Sequence, residues 1–379
     1  TYSLNSAFVT PGSENPSSMN VSPSQPRPDS TDQLSDDDVQ HIERLQECHD
    51  RLKQELAKVI VGQKAVIEQL MTCLFARGHA LLMGVPGLAK TLLVSKLAET
   101  MSLHFSRIQF TPDLMPMDIT GTDILQDTAE GRREFQFVHG PVFANIVLAD
   151  EINRAPPKTQ AAMLEAMQEH RVTVLGKPYD LDEPFLVLAT QNPVEQEGTY
   201  PLPEAQLDRF MFLIELDYPS EAEEIEIART TTGDALPTLD ALLHAEEILS
   251  YQHLVRRIPV PEHIYQFAVK LVRKTRPQED SAPEWLKPLV SWGAGPRAVQ
   301  YLILGGKTRA ALHGQYMVRL DDIQAVAEPV LTHRMITTFA AQSENIDARQ
   351  IVRRLVAETV EAGIDNGSPA ALHSAGRRG

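Results

Sequence analysis

Gly84-Val85-Pro86-Gly87-Leu88-Ala89-Lys90-Thr91 is the segment from which the organisation of this 379-residue chain can be worked out. A short apolar run, Ala80–Met83, comes before it, and Leu92–Ala98 follows with apolar residues at helical spacing. This succession of strand, tight loop and helix is the context in which a phosphate-binding loop is found. An ordinary glycine turn between a strand and a helix is the alternative, and a matching acidic strand later in the chain would weigh against it.

The loop offers several groups that bind phosphate. The start of a helix presents unpaired N–H groups and the positive end of the helix dipole, which together attract an anion. Gly87 can adopt backbone angles that other residues avoid, so that successive N–H groups wrap around a phosphate. Lys90 is expected to supply a positive charge to the β- and γ-phosphates, and the Thr91 hydroxyl a ligand for Mg²⁺. The other loop positions expected to contact the nucleotide are Gly84, Pro86, Leu88, Ala89 and Leu92.

Ala89 departs from the general phosphate-loop pattern G-x-x-x-x-G-K-[ST], which has glycine at this position. A methyl group is the smallest side chain that can replace the glycine hydrogen. The substitution is harmless if Ala89 has a negative φ, because an L-residue is free of steric strain there.

A second segment ends in two carboxylates. Four apolar residues, Ile146–Ala149, suit a strand that is buried on both faces of a parallel sheet. Asp150 and Glu151 follow at the end of this strand, where ligands bind in open α/β sheets. Asp150 is expected to hold Mg²⁺ together with Thr91, and Glu151 to orient or deprotonate an attacking water. A strand ending in a solvated acidic turn is the alternative, but the phosphate loop upstream weighs against it.

Three further polar residues are candidates for the same chemistry. Asn192 follows the next apolar strand, Phe185–Thr190, where its amide can position water; a turn residue before proline is the alternative. Arg209 precedes another strand and is either a surface salt-bridge partner or, in an oligomer, a group that reaches a neighbour's nucleotide. Arg297 begins a helix, where the dipole disfavours a cation. It therefore indicates either an anionic partner or a nearby carboxylate.

The composition limits the functions that the chain can have. Its 51 acidic and 35 basic residues give a formal net charge of −16, which argues against broad binding to nucleic acid or anionic membranes. No apolar run approaches the roughly 18 residues of a membrane span, and no secretory signal pattern is recognised. Cys48 and Cys73 lie in helical patterns and lack disulfide or zinc spacing. We expect a soluble protein in the reducing cytoplasm.

The chain divides by pattern into four parts. Residues 1–38 are rich in serine and proline and are expected to be a disordered tail. Residues 39–218 alternate strands and helices, as an α/β core with a parallel sheet does. Residues 219–362 show only helical patterns and predict an all-α second domain, and residues 363–379 are expected to be a flexible end.

Four segments, in their order along the chain, resemble the MoxR family of AAA+ ATPases. They are Gly84–Thr91, Ala149–Ala155, Ala189–Pro193 and Gly198–Phe210. The resemblance spans about Val61 to Arg297 and implies a P-loop NTPase (AAA+) core with a parallel sheet, followed by an all-α lid domain. The alanine at position 89 is a departure that this family also shows.

The resemblance also implies individual roles. The polar residues divide into Walker A (Lys90, Thr91), Walker B (Asp150, Glu151), sensor 1 (Asn192), an arginine finger acting on a neighbouring subunit (Arg209) and sensor 2 at the nucleotide (Arg297). The turn at Val61-Gly62 lies where many ring ATPases hold adenine, although a helix-capping glycine is the alternative. Two predicted hairpins, near 121–138 and 171–179, resemble the helix-2 and pre-sensor insertions of the wider clade.

The function implied by the resemblance is that of a magnesium-dependent ATP hydrolase. Such proteins form hexameric rings and act as chaperones that mature clients or insert cofactors, often with von Willebrand factor A partners. Two other functions stay open. A nucleic-acid motor is disfavoured by the net charge, although Arg132, Arg133, Arg171 and Lys177 place basic groups on the hairpins. A nucleotide-gated adaptor with little hydrolysis is disfavoured because every hydrolytic position is filled.

Overall fold

The structure, a computed structural model, describes residues 34–85, 87–127, 133–192, 198–233 and 237–366. From Leu34 onward the described residues form one compact unit. Residues 1–33 of the predicted tail, Pro86 in the phosphate loop, Arg132 of the first hairpin and residues 367–379 lie outside the described residues. The predicted flexible end begins at residue 363, but residues 363–366 instead continue the last helix. Asp36–Asp38, which the prediction places in the tail, instead form the first turn of a helix.

Strands and helices alternate in the first part of the described chain, and the second part is mainly helical. The strands are β1 (Ala80–Met83), β2 (Phe105–Gln109), β3 (Gly121–Asp127), β4 (Arg133–His139), β5 (Ile146–Asp150), β6 (Arg171–Val174), β7 (Lys177–Asp180), β8 (Leu186–Gln191), β9 (Phe212–Glu215), β10 (Val290–Trp292) and β11 (Ile336–Thr337). The helices are α1 (Asp36–Leu56), α2 (Lys64–Phe75), α3 (Lys90–Thr100), α4 (Pro116–Thr120), α5 (Pro157–Glu169), α6 (Glu204–Leu207), α7 (Glu221–Thr231), α8 (Ala245–Arg257), α9 (Glu262–Lys274), α10 (Pro296–Leu312), α11 (Leu320–Leu331), α12 (Phe339–Ser343) and α13 (Ala348–Asn366). Two 3₁₀ turns follow β5 and α11, at Ile152–Arg154 and Thr332–Arg334.

The central sheet is parallel and has five strands in the order β2-β5-β8-β1-β9. This arrangement confirms the predicted α/β core. Because β1 lies beside β8, and β8 beside β5, the carboxyl ends of these three strands meet at one edge of the sheet. The phosphate loop, the Asp150-Glu151 pair and Asn192 all follow that edge.

Both faces of the sheet are covered, which explains the unbroken apolar runs of its inner strands. On β1, Leu82 packs into a core formed with α1, α2, α3 and the lid helices, while Leu81 faces a second core formed with α5 and the hairpins. Leu148 and Val147 on β5 divide between the two cores in the same way. Buried parallel strands therefore lack the polar alternation of half-exposed ones.

The first helix begins within the predicted tail, and its packing joins the two parts of the chain. Ser35 caps α1 in a capping box with Asp38, and the three aspartates of the first turn suit the positive end of the helix dipole. Along its length α1 packs against α3 of the core and against α8 and α10 of the second part of the chain. One helix thus joins the two parts.

The two predicted hairpins are present, and one adjoining segment differs from the prediction. β3 pairs with β4 and β6 with β7, each pair antiparallel. Phe137 of β4 stacks on Tyr179 of β7 with ring centroids 3.9 Å apart, so that the hairpins contact each other. The two prolines of Thr111–Met117, before β3, predict a loop, but α4 begins within this segment. Pro116 is at the first position of that helix, where proline is tolerated because its missing N–H would be unpaired there.

The second part of the chain is the predicted helical lid, with two corrections. β10 and β11 pair as a small antiparallel sheet, which the helical pattern does not indicate. The apolar spacing of residues 239–254 predicts a helix from Leu239, but α8 begins at Ala245, because the preceding backbone is bound to the core. The Asp240 N–H donates to Glu55 Oε1 over 2.8 Å, and the Leu242 N–H to the Thr100 carbonyl over 2.8 Å. Those N–H groups are unavailable to a helix.

Candidate nucleotide site

A polar cavity of about 370 Å³ opens at the carboxyl edge of the sheet. It brings together the phosphate loop, both residues of the predicted acidic pair and the predicted polar amide. The lining residues are Gly87, Leu88, Ala89, Lys90, Thr91, Arg107, Gln109, Asp150, Glu151, Thr190 and Asn192. Residues from four segments far apart in the sequence thus meet at one place.

The backbone of the phosphate loop reaches the left-handed region twice. Gly87 has φ +88°, and nothing lies within 4 Å of the position a Cβ would take. Ala89 has φ +53°, so the condition under which its methyl group is harmless is not met. Ala89 is the N-cap residue of α3, and a positive φ there turns the chain into the helix. The geometry is the one for which glycine is preferred.

Lys90 is the first residue of α3 and bends back over the loop. Its Nζ donates a hydrogen bond to the Gly84 carbonyl over 2.5 Å. Burial lowers the pKa of the Lys90 ammonium, while the charges of Asp150 and Glu151 act in the opposite direction. A bound phosphate would offer this cation a stronger partner than a carbonyl oxygen.

Both oxygens of the Asp150 carboxylate are hydrogen bonded. Oδ1 accepts from the Thr190 hydroxyl over 2.6 Å, and Oδ2 accepts from Arg107 Nε over 3.0 Å and from Arg107 Nη2 over 2.6 Å. Neither Arg107 nor Thr190 belongs to the residues that the sequence pattern predicts to act in the site. The partners fix the carboxylate at the mouth of the cavity, with a guanidinium beside it.

Glu151 is held by its own set of contacts. It has φ +58°, and its N–H donates to the Thr190 hydroxyl over 2.8 Å. Its Oε2 accepts from Gln109 Nε2 over 2.7 Å and lies 3.1 Å from Arg154 Nε. Non-glycine residues with strained backbone are concentrated at functional sites. The carboxylate is therefore placed by the strand edge rather than left free in solvent.

Gln109 and Arg107 are the functional positions that sequence reasoning missed. They are two residues apart on β2, so their side chains share one face of the strand. β2 lies directly beside β5, with Gln109 in register with Asp150. Two polar side chains at this spacing in a strand next to the acidic pair were the available signal. Only the strand order shows which acids they meet.

A second, apolar cavity of about 380 Å³ adjoins the polar one. Gly87, Leu88 and Ala89 line both cavities, so the two are continuous along the phosphate loop. The other residues that line the apolar cavity are Val59, Ile60, Val61, Gln63, Leu92, Leu93, Tyr218, Pro219, Glu224, Ile227, Ala228, Thr230 and Thr231. Gly62 has φ +68°, and a Cβ there would lie 2.2 Å from Glu223 Oε1. The predicted Val61-Gly62 turn is thus beside an apolar space of the kind a base occupies.

Asn192 is 7% exposed and lines the polar cavity, whereas neither Arg209 nor Arg297 lines either cavity. Arg297 Nη1 pairs with Asp208 Oδ2 at 3.1 Å, and Arg209 Nη1 donates to the Leu164 carbonyl over 3.3 Å. The Arg297 guanidinium at the start of α10 therefore has a nearby carboxylate, that of Asp208. This is one of the two alternatives that the sequence leaves open for Arg297, the other being an anionic partner. Both arginines are next to Asp208: Arg209 follows it in the sequence, and Arg297 pairs with its carboxylate.

The residues present fit a magnesium ion held jointly with phosphate. Thr91 and Asp150 place a hydroxyl and a carboxylate oxygen on the same cavity, and these are the hard ligands that Mg²⁺ takes. Within the described ranges no group of three or more His, Cys, Asp or Glu side chains forms a metal site. That is the pattern of a magnesium that protein binds through one or two side chains while water and phosphate complete its shell.

A five-stranded parallel sheet, a phosphate loop facing an acidic strand end and a helical lid define a P-loop ATPase of the AAA type. Comparison with known proteins agrees: the family "ATPase family associated with various cellular activities (AAA)" matches residues 79–212, and the AAA lid domain matches residues 284–355. The chain is 42% identical to Chaperone MoxR1 of Mycobacterium tuberculosis, over 84% of each chain. The chain belongs to the MoxR family of AAA+ ATPases.

Two further relatives extend the comparison. Uncharacterized protein YeaC of Bacillus subtilis is 42% identical, over 80% of this chain and 91% of its own length. A solved structure from Cytophaga hutchinsonii, described as a candidate ATPase, is 41% identical, with a TM-score of 0.79. It covers 84% of this chain and 96% of its own. In the part of the chain that the structure describes, no helix is long and apolar enough to cross a membrane.

Proposed function

We propose that this ATPase works in a ring of identical subunits and uses ATP hydrolysis to remodel or mature a client protein. The observation that carries the proposal is the single cavity in which the phosphate loop meets Asp150, Glu151 and Asn192. An anion-binding loop, a metal-binding acid, a candidate base and a polar amide are the parts that hydrolysis of a nucleoside triphosphate needs. The complete set favours a hydrolase over a nucleotide-gated adaptor.

The two continuous cavities suit the two ends of ATP. The apolar one is proposed to take the adenine beside Val61-Gly62, and the loop N–H groups the phosphates. Lys90 exchanges its hydrogen bond with the Gly84 carbonyl for the β- and γ-phosphates. Thr91 and Asp150 would hold Mg²⁺, which would supply positive charge to the phosphate oxygens.

The attack on the γ-phosphate is assigned to groups at the ends of β5 and β8. Glu151 is proposed to orient the attacking water and to accept its proton. Asn192, at the tip of the adjacent strand, is proposed to hold that water or a γ-phosphate oxygen. Gln109 and Arg154 fix the Glu151 carboxylate from two sides, so that its direction depends on both contacts.

Arg209 is proposed to complete the site of a neighbouring subunit, and Arg297 to act as sensor 2 at the nucleotide of its own chain. Neither arginine lines the cavities of its own chain, and both are next to Asp208. A guanidinium supplied across an interface stabilises the charge that develops on the transferred phosphoryl group. A direct role for Arg297 on the nucleotide of its own subunit would require Asp208 to release it.

A protein client is favoured over nucleic acid. The net charge of −16 disfavours a polyanion, and the hairpins carry exposed apolar side chains, including Phe135 at 72% and Leu175 at 78% exposure. The relative named Chaperone MoxR1 is consistent with such a client. We propose that hydrolysis moves the lid and hairpins against the client, with a von Willebrand factor A protein as a further partner.

Two substitutions test the chemical assignment. Glu151→Gln is expected to bind ATP normally and to release phosphate at least a hundredfold more slowly, because it removes the base but keeps the shape. Lys90→Ala is expected to lose nucleotide binding itself. Phosphate release and binding of a fluorescent nucleotide separate the two effects. Turnover of Glu151→Gln at the parental rate would refute the assignment of the base.

The Glu151→Gln protein also provides a test of the client. Held in its ATP state, it should retain the protein on which the ring acts, because release is tied to hydrolysis. Affinity purification with ATP, compared with the same purification of Lys90→Ala, identifies proteins retained only in the ATP state. Equal recovery with both variants would refute nucleotide-dependent client binding.

A further inference from the structure

Four consecutive residues around the candidate arginine finger are held by side chains of the lid. The segment Asp208–Met211 connects α6 to β9 and carries Arg209. Each of its four backbone carbonyls accepts a hydrogen bond from a lid side chain. Connecting segments usually bond to water or to their own neighbours, so this degree of capture is unusual for a loop.

Arg334, in the 3₁₀ turn after α11, supplies most of these bonds. Its Nη2 donates to the carbonyls of Asp208 and Phe210 over 2.9 and 2.6 Å, and its Nη1 to the carbonyl of Met211 over 3.2 Å. Its Nε donates to the Asp208 carboxylate over 2.8 Å. The fifth N–H donates to the Val330 carbonyl in the last turn of α11, over 2.5 Å. A guanidinium has five N–H donors, and all five have acceptors here.

Because Arg334 is buried, its guanidinium depends on these particular hydrogen-bond acceptors. Its side chain is 1% exposed, and a buried charge is costly unless each of its polar groups is paired. Four of the five acceptors belong to Asp208–Met211. The guanidinium therefore cannot keep its partners if the segment shifts relative to the lid, and the segment and the lid must move together.

Tyr301 on α10 binds the fourth carbonyl of the segment, that of Arg209. Its hydroxyl donates to the Arg209 carbonyl over 3.1 Å, and Arg334 lies over its ring, 5.0 Å from the centroid. Arg297, also on α10, pairs with the Asp208 carboxylate on the other side. The backbone of Arg209 and of both its neighbours is thus bound to two lid elements.

We propose that Arg334 and Tyr301 are positioning residues for Arg209. They hold the backbone on both sides of Arg209, so that a change in the position of the lid acts on the backbone that carries the guanidinium, which is itself bonded to the Leu164 carbonyl of α5 in the core. A lid that responds to the nucleotide of its own subunit then moves the arginine offered to the next. This inference rests on the proposed role of Arg209 in a neighbouring site.

Mixed assemblies of full-length chains test the inference. Acceptor subunits carry Arg209→Ala and keep an intact nucleotide site without a finger. Donor subunits carry Glu151→Gln and contribute a finger while binding ATP without hydrolysing it at a significant rate. Each alone should be inactive, and the mixture should hydrolyse ATP wherever a donor finger faces an acceptor site.

Donors then receive one further substitution. Tyr301→Phe removes one hydrogen bond and should lower kcat of the mixture about three- to tenfold, with KM for ATP unchanged. Arg334→Lys removes the planar fork and should lower kcat at least tenfold. Tyr316→Phe is the matched control, because its hydroxyl contacts Glu43 on α1 and the rate should stay at that of the parent mixture.

Two results would overturn the inference, and they differ. An inactive mixture of the two parent variants would refute the neighbouring-subunit role of Arg209 and the positioning role with it. An active mixture whose kcat is unchanged by both Tyr301→Phe and Arg334→Lys would refute the positioning role alone. Melting temperature and assembly size of each donor exclude loss of folding, and Tyr301→Phe in the acceptor should lower the rate less than in the donor.

Discussion

Ala89 shows how a single backbone angle bears on the phosphate loop. With φ +53° its Cβ approaches the following carbonyl oxygen, at a cost of about 1–2 kcal/mol for an L-residue. Glycine would be free of this strain. The positive φ turns the loop into α3, whose first N–H groups face the cavity. The site therefore retains a strained conformation at a position where only the backbone direction matters.

Replacing Ala89 by glycine should not weaken the fold. We expect Ala89→Gly to raise the free energy of unfolding by up to about 1 kcal/mol, since relief of strain outweighs the added entropy of the unfolded chain. Ala98→Gly is the matched control: this residue is buried inside the same helix, and the change should cost about 1 kcal/mol. Urea denaturation measures both. An equal loss in the two variants would contradict the left-handed conformation of Ala89.

The sequence was enough to predict four residues of the site, because they follow segments with a recognisable strand pattern. They are Lys90, Thr91, Asp150 and Glu151. The partners that fix the two acids could not be predicted in this way. Arg107 and Thr190 come from the strands on either side of β5, and their contacts depend on the order β2-β5-β8. Strand order is a property of the assembled sheet, which local pattern does not encode.

At the scale of elements, long periodic segments were predicted well and short ones were not. The apolar residues of Glu262–Lys274 recur at helical spacing, which predicts a helix over this segment, and α9 has these bounds. β10 and β11 have three and two residues, too few for an alternation to show. The start of α8 at Ala245 was missed because Glu55 and Thr100 bind the backbone before it. Tertiary contacts of this kind override local helical preference.

His79 joins three elements at the start of β1. Its Nε2 donates to the Met167 carbonyl at the end of α5 over 3.0 Å, and its Nδ1 accepts from the Val187 N–H of β8 over 3.0 Å. Both ring nitrogens are therefore used by the neutral form. Burial lowers the pKa of His79 to about 4, with the Met167 bond acting in the opposite direction.

The stability of the fold should depend on pH through this ring. Because the folded pKa is below the unfolded value, the unfolded chain binds the proton first. The contribution is present above about pH 6.5 and is lost as pH falls toward 4, at most about 3 kcal/mol. His79→Gln keeps a donor and an acceptor, and should flatten this part of the pH dependence of urea unfolding. His263→Gln, exposed on α9, is the control and should keep the slope; an unchanged slope in His79→Gln would contradict the assignment.

Across the whole molecule, core and lid are joined around Glu68 on α2. Its carboxylate lies 3.3 Å from Lys53 Nζ on α1 and 3.2 Å from His313 Nε2 beyond α10, with His49 Nε2 at 3.6 Å. Burial raises the pKa of Glu68, but these partners outweigh it and hold the pKa at about 2. Glu68 and His313 are 245 positions apart in the sequence, so no local pattern could predict how the lid packs on the core.

A ring in which Arg209 serves the neighbouring site makes ATP turnover depend on assembly. We expect phosphate release per subunit to fall steeply as the protein is diluted, because an isolated chain keeps its cavities but loses the guanidinium supplied by its neighbour. Binding of a fluorescent ADP analogue should persist, since the loop and the apolar cavity belong to one chain.

Arg209→Ala provides the control for this dilution series. It should bind the analogue as the parent does and turn over ATP slowly at every concentration, because its sites lack the guanidinium even when assembled. Sedimentation at each concentration relates activity to the assembled fraction. Activity per subunit that stays constant while the assembly dissociates would show that one chain hydrolyses ATP alone, and Arg209 would then be left with the bond to the Leu164 carbonyl as its role.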